Sequence, residues 1–496
     1  MNKKIVLLIL FFALFSYFRL KPIYLQTVPY TFDQGRDFLK TIEIVRDRNL
    51  TLIGPTTGAA GVFHGAWWYY YLSIPHILFQ GHPLGYYVFI YLTLLVQVIL
   101  FYVFLDEKFH PHIALFFLML MIASPYFITT SIFAINSILT LPFILLFFYS
   151  VYSYLEKNRL KYLLGVTISI GMILEAELAF GVFLVPAFLL TLISIRKLKY
   201  FFGSKNKLIL GVFGFLLAIF PRILFELKND FFQTRSILNF SKNPGTNPVT
   251  LQGAILDRLR LFKDFYIQIF PQGNELIGYS IGLLAIVGLV LGYKKLKNIH
   301  QRFFMFITII LGWLFLISLL YRNNFFWANY LEGLPYFFII LVLFGLFGLS
   351  KSSIPFARKI LLLLSSLFIM MSVYLIQSDI VKNEEVPTIG LRMQSTAIAY
   401  IYNRVGQNKF CLKIYTPPVL TYTYDYIIDY YVTHKGVKNP QSTFIKHRCW
   451  YIIERDDYAE RLAKWRTDQI PEKSAMIESR KISKDATVEL WEIKTK

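Results

Sequence analysis

The chain has 496 residues, of which 56% are apolar and 18% aromatic, and its formal net charge is +21. An ordinary soluble domain is only about 45–50% apolar even when glycine is counted, so the composition excludes a purely soluble protein. Only two cysteines are present, Cys411 and Cys449, and no Cys/His spacing typical of a zinc site occurs. Both cysteines lie in a polar tail, where one disulfide and two free thiols are both consistent with the sequence.

Apolar segments with few charges recur along the chain, at a length that suits a bilayer core roughly 30 Å thick. Backbone groups in hydrocarbon must pair within their own segment, so these segments are predicted to be helices. Strands of a membrane barrel are shorter and alternate polar with apolar residues. We therefore predict an all-α polytopic membrane protein with about eleven transmembrane helices. The predicted spans are 1–20, 84–105, 111–130, 133–154, 162–180, 181–195, 208–224, 277–293, 303–320, 331–349 and 360–376.

Two regions are predicted, a transmembrane module over residues 1–376 and a small C-terminal α/β domain over residues 377–496. The module carries two long outer loops, at about 21–83 and 225–276. The first span has no small-residue cleavage site, which favours an uncleaved helix over a signal peptide. Within the tail, the pattern predicts strands at 409–415, 449–454 and 488–493 and helices at 425–433 and 458–466.

The positive charge is distributed as a topology signal. With the N-terminus placed in the cytoplasm, the inner segments carry 18 Lys and Arg and three acidic residues, which leaves +15 of the total +21. Counted over 21–65, the first outer loop has five basic and four acidic residues, and the second, counted over 222–276, has seven and five. Basic loops mark the cytoplasmic side. We expect a plasma-membrane protein with a cytoplasmic N-terminus, an extracytoplasmic tail and no nucleic-acid partner.

The first outer loop opens on a helix that carries two carboxylates. Thr31 and Gln34 form a capping-box pattern, which predicts a helix from there to about residue 48. Asp33 and Asp37 then share one face near the positive end of the helix, about 6 Å apart between Cβ atoms. The stripe that begins at Phe38 suits a helix lying on the membrane. A solvated helix with ion pairs at i,i+3 spacing explains the same charges equally well.

Further polar and aromatic residues are candidates for binding or catalysis. His64 precedes an aromatic segment, 67–79, that is predicted to lie in the membrane interface. The simplest interpretation of the tyrosines in this segment, including Tyr69 and Tyr70, is an aromatic belt at the membrane interface. The more specific interpretation is that they contact a sugar. Glu175 and Glu177 interrupt an apolar span, where carboxylates are costly and indicate either function or a buried polar bridge.

The second outer loop and a later outer turn supply further candidates. Arg222 and Arg235 suit phosphate, because a guanidinium matches phosphate oxygens bidentately, but basic residues also anchor headgroups. The remaining candidates for substrate binding are Arg36, Glu226, Asn329 and Tyr330.

These motifs resemble those of the GT-C superfamily of membrane glycosyltransferases, in particular the protein O-mannosyltransferase and aminoarabinose transferase group, glycosyltransferase family 39. In that group an N-terminal span precedes an outer loop with an Asp-Glu motif and then a Pro-Pro-Leu-aromatic helix. Asp33-Gln34 occupies the acidic motif here, and the segment 64–72, HGAWWYYYL, occupies the aromatic helix. The tail segments YTPP at 415–418 and YDY at 424–426 are similar to bacterial members.

The resemblance implies transfer of a sugar from a polyprenyl-phosphate donor to a lipid, glycan or protein acceptor at the outer face, among membrane lipids. It makes Asp33 the candidate catalytic base, with Asp37 or His64 expected to assist. Asp37 has no matching position in the family and is a candidate because of its spacing from Asp33 alone. The resemblance assigns no cofactor with certainty and leaves a divalent metal open. Gln34 departs from the second acid of the motif, and Gly65-Ala66 departs from the proline pair. These departures weaken any transfer of metal ligation.

Other functions fit part of the pattern. A transporter or lipid flippase explains the many spans and the buried carboxylates, but such proteins often contain inverted repeats, and none is visible here. A polysaccharide polymerase or ligase also uses lipid-linked donors. A large outer loop late in the chain would favour this function, whereas here the main loop comes first. A structural membrane protein without enzymatic activity is the remaining alternative.

Overall fold

The computed structural model of the chain describes residues 3–242, 249–322, 326, 328–352, 363, 367, 370, 371, 374 and 389–494. The N-terminal half of the helical region contains α1 (Lys3–Tyr24), α2 (Phe32–Val45), α3 (Trp67–Leu78), α4 (Pro83–Lys108), α5 (Pro111–Ala123), α6 (Pro125–Thr130), α7 (Thr140–Lys157), α8 (Leu160–Ala176) and α9 (Leu178–Ser194). It continues with α10 (Leu198–Phe202), α11 (Lys205–Ala218), α12 (Phe220–Lys228), α13 (Phe232–Lys242), α14 (Leu251–Gln268), α15 (Glu275–Gly292), α16 (Asn298–Ser318) and α17 (Leu334–Lys351). Short 3-10 helices lie at Asn136–Leu139, Pro271–Gly273, Tyr293–Lys295 and Ala328–Leu331.

Long apolar helices form the membrane part of the molecule. Among the described residues, five helices are long and apolar enough to cross a bilayer, or six if the bent pair α11 and α12 counts as one span. The five are Pro83–Lys108, Asn136–Lys157, Glu275–Lys295, Asn298–Ser318 and Leu334–Lys351. The count of about eleven stays a prediction, and the predicted span 360–376 lies almost entirely outside the described residues.

Two of the predicted spans are broken helices. The predicted span 111–130 divides at Ser124, whose hydroxyl accepts a hydrogen bond from Phe127 N and caps α6 ahead of Pro125. The predicted span 208–224 bends by 71° between α11 and α12, beside Pro221. Proline lacks the backbone N–H that would continue the preceding helix, so the chain changes direction at Pro125 and at Pro221.

Close backbone contact holds α15 against α17. A Cβ at Gly288 would lie 2.1 Å from the carbonyl oxygen of Gly345, and one at Gly292 would lie 1.9 Å from that of Gly348. Helices in a bilayer associate through tight packing of small residues, because lipid tails offer no hydrophobic gain for helix association. These glycines therefore explain the proximity of the two helices.

The C-terminal domain (residues 389–494) is a four-stranded sheet with helices, as the tail pattern predicts. Its elements are α18 (Leu391–Val405), β3 (Leu412–Tyr415), α19 (Tyr422–Lys435), β4 (Arg448–Glu454), α20 (Ala459–Gln469), β5 (Ser474–Ser483) and β6 (Ala486–Ile493). The strand order is β3-β4-β6-β5; β3 pairs parallel to β4 and the other pairs are antiparallel. Helix α18 and strand β5 are additional to the predicted elements. Cys411 and Cys449 form a disulfide beside the β3–β4 pair.

The two loops that are predicted to lie on the outer side are structured. The first contains α2, a hairpin of β1 (Ile53–Thr56) and β2 (Phe63–Gly65), and α3. The second, predicted as a polar loop over 225–276, contains the end of α12, α13 and α14. Together with the end of α8, these elements carry most of the candidate residues.

Candidate functional site

Helix α2 starts at the predicted capping box. The backbone N–H of Thr31 donates to Oε1 of Gln34 at 2.7 Å. The Gln34 amide nitrogen in turn donates to the hydroxyl of Tyr87 at 3.0 Å, and Gln34 is fully buried. The amide that replaces the second acid of the family motif is therefore an internal helix cap, and it does not share the exposed face of Asp33.

Asp33 and Asp37 bind the same guanidinium. Nη1 of Arg36 lies 2.8 Å from Asp33 Oδ1, and its Nη2 lies 2.8 Å from Asp37 Oδ1. The predicted shared face is confirmed, and Lys40 pairs with Glu43. The Asp33 side chain is 43% exposed and that of Asp37 is 1% exposed, so only Asp33 offers its carboxylate to a ligand.

The aromatic segment forms one wall of this cluster. Trp68 is fully buried, and its indole N–H donates to Asp37 Oδ2 at 2.8 Å. The hydroxyl of Tyr69 interacts with both Asp37 and Arg36. Tyr70 instead bonds the backbone of Thr51. The expectation of an interfacial belt over 67–79 is thus wrong for Trp68 and Tyr69, which pack inside the protein.

Burial sets the ionisation of Asp37. It raises the pKa of this carboxyl to about 6, against the opposing effects of Arg36 and of the Trp68 hydrogen bond. Burial likewise raises the pKa of the Tyr69 hydroxyl well above its usual range. Near neutral pH, Asp37 is a charged group held by two donors, and its ionised form depends on them.

The predicted membrane-facing stripe of α2 faces protein. The ring of Phe38 stacks on that of Tyr86 with centroids 3.8 Å apart, and Ile42 is buried. The stripe packs on α4 and on α19 of the C-terminal domain, so the expectation that it lies on the membrane is wrong. An amphipathic pattern indicates a buried face and does not specify whether lipid or protein covers it.

His64 lies on β2, behind the aspartate cluster. Its Nδ1 accepts a hydrogen bond from the backbone N–H of Leu178 at 3.4 Å. Burial, together with the smaller effects of the positive charges of Arg222 and Arg36, lowers the pKa of His64 to about 3. The imidazole is therefore neutral and a weak base, an environment that disfavours the assisting role suggested by the sequence.

Glu175 and Arg222 form a buried ion pair. Arg222 Nε donates to Glu175 Oε1 at 2.6 Å, and its Nη1 donates to the carbonyl of Phe63 at 3.0 Å and to Oε1 of Gln233 at 3.1 Å. A Cβ at Gly65 would lie 2.0 Å from the second oxygen of Glu175. Arg222 thus has protein partners on both Nε and Nη1, and only 14% of its side chain is exposed against 23% for Arg36, which argues against its predicted use as a phosphate-binding cation.

The remaining residues of the second loop take different positions. Glu226 accepts hydrogen bonds from the backbone N–H groups of Gln233 and Thr234, both at 3.0 Å, and so caps α13. This occupied carboxylate does not support a substrate-binding role. Arg235, the residue after Thr234 on α13, is exposed. It stays a predicted phosphate contact.

A second carboxylate group lies at the break between α8 and α9. Glu177 is the extended residue at this break, and it lies in electrostatic range of Tyr330 and Glu332. The hydroxyl of Tyr126 donates to Glu332. Asn329 lies in the same 3-10 helix as Tyr330. Glu332 was not among the sequence candidates, although an acid at the start of the predicted span 331–349 was a usable signal.

The candidate residues do not present a ready metal site. No group of three or more His, Cys, Asp or Glu that could hold a metal ion occurs in the part of the chain that the structure describes. Between Asp33 and Asp37, the position that a divalent ion would take is filled by the Arg36 guanidinium. These carboxylates fit a cation only if Arg36 leaves them.

Comparison with known proteins adds the wider context. Residues 64–225 match the sequence family described as dolichyl-phosphate-mannose-protein mannosyltransferase. The fold is similar to the crystal structure of ArnT from Cupriavidus metallidurans bound to undecaprenyl phosphate, with a TM-score of 0.60, 12% identity and coverage of 97% of each chain. The apo state of the same protein gives a TM-score of 0.59 with equal identity and coverage. No curated protein matches the chain.

These findings confirm the resemblance to GT-C membrane glycosyltransferases and the predicted fold class. The chain is a multi-pass membrane protein with the ArnT-like fold, mostly helical with a small C-terminal sheet. The family match begins at His64 and includes Glu175, Glu177 and Arg222. The aspartate cluster on α2 lies before the matched segment.

Proposed function

We propose that this protein is a membrane glycosyltransferase that moves a sugar from a polyprenyl-phosphate donor to a lipid, glycan or protein acceptor at the extracytoplasmic face. The observation that carries the proposal is the pairing of one accessible and one buried aspartate with a single guanidinium at the start of α2. Support for the donor class comes from the structurally similar ArnT, which is bound to undecaprenyl phosphate.

Asp33 is the proposed general base. In the reaction, an acceptor hydroxyl oxygen forms a bond to the anomeric carbon, the bond from that carbon to the phosphate oxygen breaks, and polyprenyl phosphate departs with the bonding electrons. The hydroxyl proton passes to the exposed carboxylate of Asp33. A positioned carboxylate contributes about 10²–10⁴-fold to a proton transfer of this kind.

Arg36 is the proposed cation for the departing phosphate. Its guanidinium is fixed by Asp37 from the buried side, while 23% of its side chain stays exposed. A preorganised donor aimed at developing charge costs no reorganisation during the reaction, and this is where most of its catalytic value arises. Asp37 then serves as the anchor of Arg36, and Trp68 as the donor that keeps Asp37 ionised.

Two features support an extracytoplasmic site. The positive charge is concentrated in the segments assigned to the cytoplasm. The disulfide between Cys411 and Cys449 is typical of proteins in oxidising compartments, and the C-terminal domain that contains it packs against α2. Loop and tail therefore belong on the same, outer side.

The test is turnover by the purified full-length protein with a panel of radiolabelled polyprenyl-phosphate sugars. We expect release of free polyprenyl phosphate from at least one donor, and we expect Asp33→Asn to lower this release by about 10²-fold or more. Asp257→Asn, an exposed aspartate on α14, is the matched control and should keep wild-type turnover. Near-normal turnover by Asp33→Asn would remove Asp33 from the base role. Absence of release from every donor would contradict the proposed function.

A further inference from the structure

The C-terminal domain contacts α2 at Gly35, which lies midway between the two aspartates in the sequence. Gly35 lies two residues after Asp33 and two before Asp37, and it faces the start of α19. A Cβ at Gly35 would lie 2.4 Å from the backbone nitrogen of Thr423 and 2.6 Å from the carbonyl carbon of Tyr422. All of these neighbours are backbone atoms, so no side-chain movement can make room for a larger residue.

The contact continues along α2 beyond Gly35. The ring of Phe38 packs edge-on against Tyr426 of α19, with centroids 5.4 Å apart. The Tyr426 hydroxyl donates to the carbonyl of Gly81 at 2.6 Å and lies 2.9 Å from the hydroxyl of Tyr86. These buried polar contacts fix the rotation of α19 relative to α3 and α4, and therefore relative to α2.

The C-terminal domain also contacts the residues that precede α2 and the residue that directly follows it. Nη1 of Arg46, directly after α2, lies 2.9 Å from Asp429 on α19. Ahead of α2, the backbone N–H of Arg392 on α18 donates to the carbonyl of Gln26 at 3.0 Å. Contacts with one domain thus precede, accompany and follow the helix that carries the aspartate cluster.

We propose that the C-terminal domain is a positioning element of the candidate active site, and that Gly35 is the positioning residue through which it acts. The proposal rests on the function proposed above. The ion pairs of Asp33 and Arg36 join these residues to each other and to Asp37, all within α2. The domain therefore acts on them by setting the rotation and depth of the helix that carries them.

The physical basis is the sensitivity of catalysis to geometry. A misplacement of about 1 Å from a change away from the chemistry can cost about 10²-fold in rate. A methyl group at Gly35 has its nearest neighbour at 2.4 Å, whereas an ordinary van der Waals contact begins at 3.4 Å, so α2 would have to move from α19 by about 1 Å or more. Asp33 and Arg36 would move with the helix, whereas the membrane bundle behind them would not.

The experiment compares Gly35→Ala with Gly312→Ala in the full chain. Gly312 is a helical glycine on α16 whose added Cβ would meet nothing within 4 Å. We expect Gly35→Ala to lower kcat by about 10²-fold while the KM for the polyprenyl-phosphate donor changes less than about threefold. It should also speed amide hydrogen exchange over residues 32–45. Gly312→Ala should change none of these values.

A charge exchange at the far end supplies a second test that does not depend on Gly35. Arg46→Asp and Asp429→Arg should each lower kcat, by about two- to fivefold because the pair is partly exposed, and the double variant should recover most of the loss. Asp257→Arg, on an exposed surface of α14, is the control for an added arginine.

The outcomes separate this inference from the proposed function. Suppose that the wild type turns over donor and that Gly35→Ala and Gly312→Ala have equal kcat and equal amide hydrogen exchange. This result would overturn the positioning role and leave the transferase assignment intact. Failure of the wild type to act on any donor would overturn the transferase assignment, and with it the inference. If Gly35→Ala does not accumulate in the membrane, failure of the charge exchange to restore kcat overturns the inference.

Discussion

At the scale of single residues, Asp33 and Asp37 have the same chemistry and opposite surroundings. They bind opposite sides of one guanidinium, but the first is 43% exposed and the second is 1% exposed. Spacing predicts that both face one side of a helix. It does not predict that Trp68 covers only Asp37, because this depends on how α3 packs against α2. The division into an accessible and an anchoring carboxylate is thus a tertiary property.

Substitution of Trp68 tests this division through the pH dependence of turnover. The hydrogen bond from its indole lowers the pKa of Asp37, which burial raises to about 6. If ionised Asp37 holds Arg36, kcat/KM falls as the pH drops through about 6. Trp68→Phe removes the donor and should move this fall in kcat/KM, the acid limb of the pH profile, to higher pH by about one to two pH units, since a hydrogen bond to a charged group is worth about 1.5–3 kcal/mol.

The matched control is Trp67→Phe. The indole of Trp67 donates to the carbonyl of Ala218 and does not contact Asp37. Its acid limb should stay where the wild type has it. An acid limb at the same pH in both variants would show that Asp37 does not control the reaction.

The same carboxyl has a defined effect on stability. Because the pKa of Asp37 is higher in the folded chain than the ordinary value of 3.8, the folded state holds its proton more tightly than the unfolded state. Its contribution to the free energy of unfolding is therefore greatest below pH 4 and declines as the pH rises to about 6. The ionised anchor is maintained at the expense of stability, as is common at functional sites.

At the scale of elements, the ion pair of Glu175 and Arg222 joins three parts of the fold. It connects the end of α8 to α12, and Arg222 reaches the carbonyl of Phe63 on the β1–β2 hairpin. The sequence predicts function or a polar bridge for Glu175, and the contacts favour the bridge. Gly65 belongs to the same arrangement, because the Glu175 carboxylate occupies the space of its missing side chain.

Glu175→Gln should destabilise the protein by about 3 kcal/mol, because it leaves Arg222 charged and buried without its partner. Thermal unfolding in detergent measures the effect. The double variant Glu175→Gln with Arg222→Gln should cost less than the sum of the two single changes. If Arg222 instead binds phosphate, Arg222→Gln would raise the donor KM strongly while leaving the unfolding temperature near the wild-type value.

At the scale of the whole molecule, the C-terminal domain packs against α2, the helix that carries the aspartate cluster. The tail elements predicted from period and composition are present, and β3 pairs with β4 in parallel. Their contact with α2 has no local signal, since Tyr426 and Asp429 look like ordinary residues of a polar helix. The sequence therefore does not show that the C-terminal domain packs against α2, and this contact is known only from the folded structure.

Accessibility labelling tests the arrangement across the membrane. Because Cys411 and Cys449 form a disulfide, a membrane-impermeant maleimide reacts with an introduced cysteine and not with these two. We expect Asp257→Cys, in the second outer loop, to be labelled in intact cells. Lys205→Cys, in a basic segment assigned to the cytoplasm, should be labelled only after lysis. The reverse pattern would place the site in the cytoplasm and contradict the proposed reaction.

The sequence by itself determined what depends on local chemistry and on bulk composition: apolar helices, the capped start of α2, the strands of the tail and the presence of acids in apolar surroundings. Tertiary structure decided which charges are neutralised, since Arg222 and Arg36 are alike in sequence but have one and two carboxylate partners. It also decided what covers the apolar stripe of α2. Periodicity reports that a face is buried, whereas the identity of its neighbour follows from contacts between residues hundreds of positions apart.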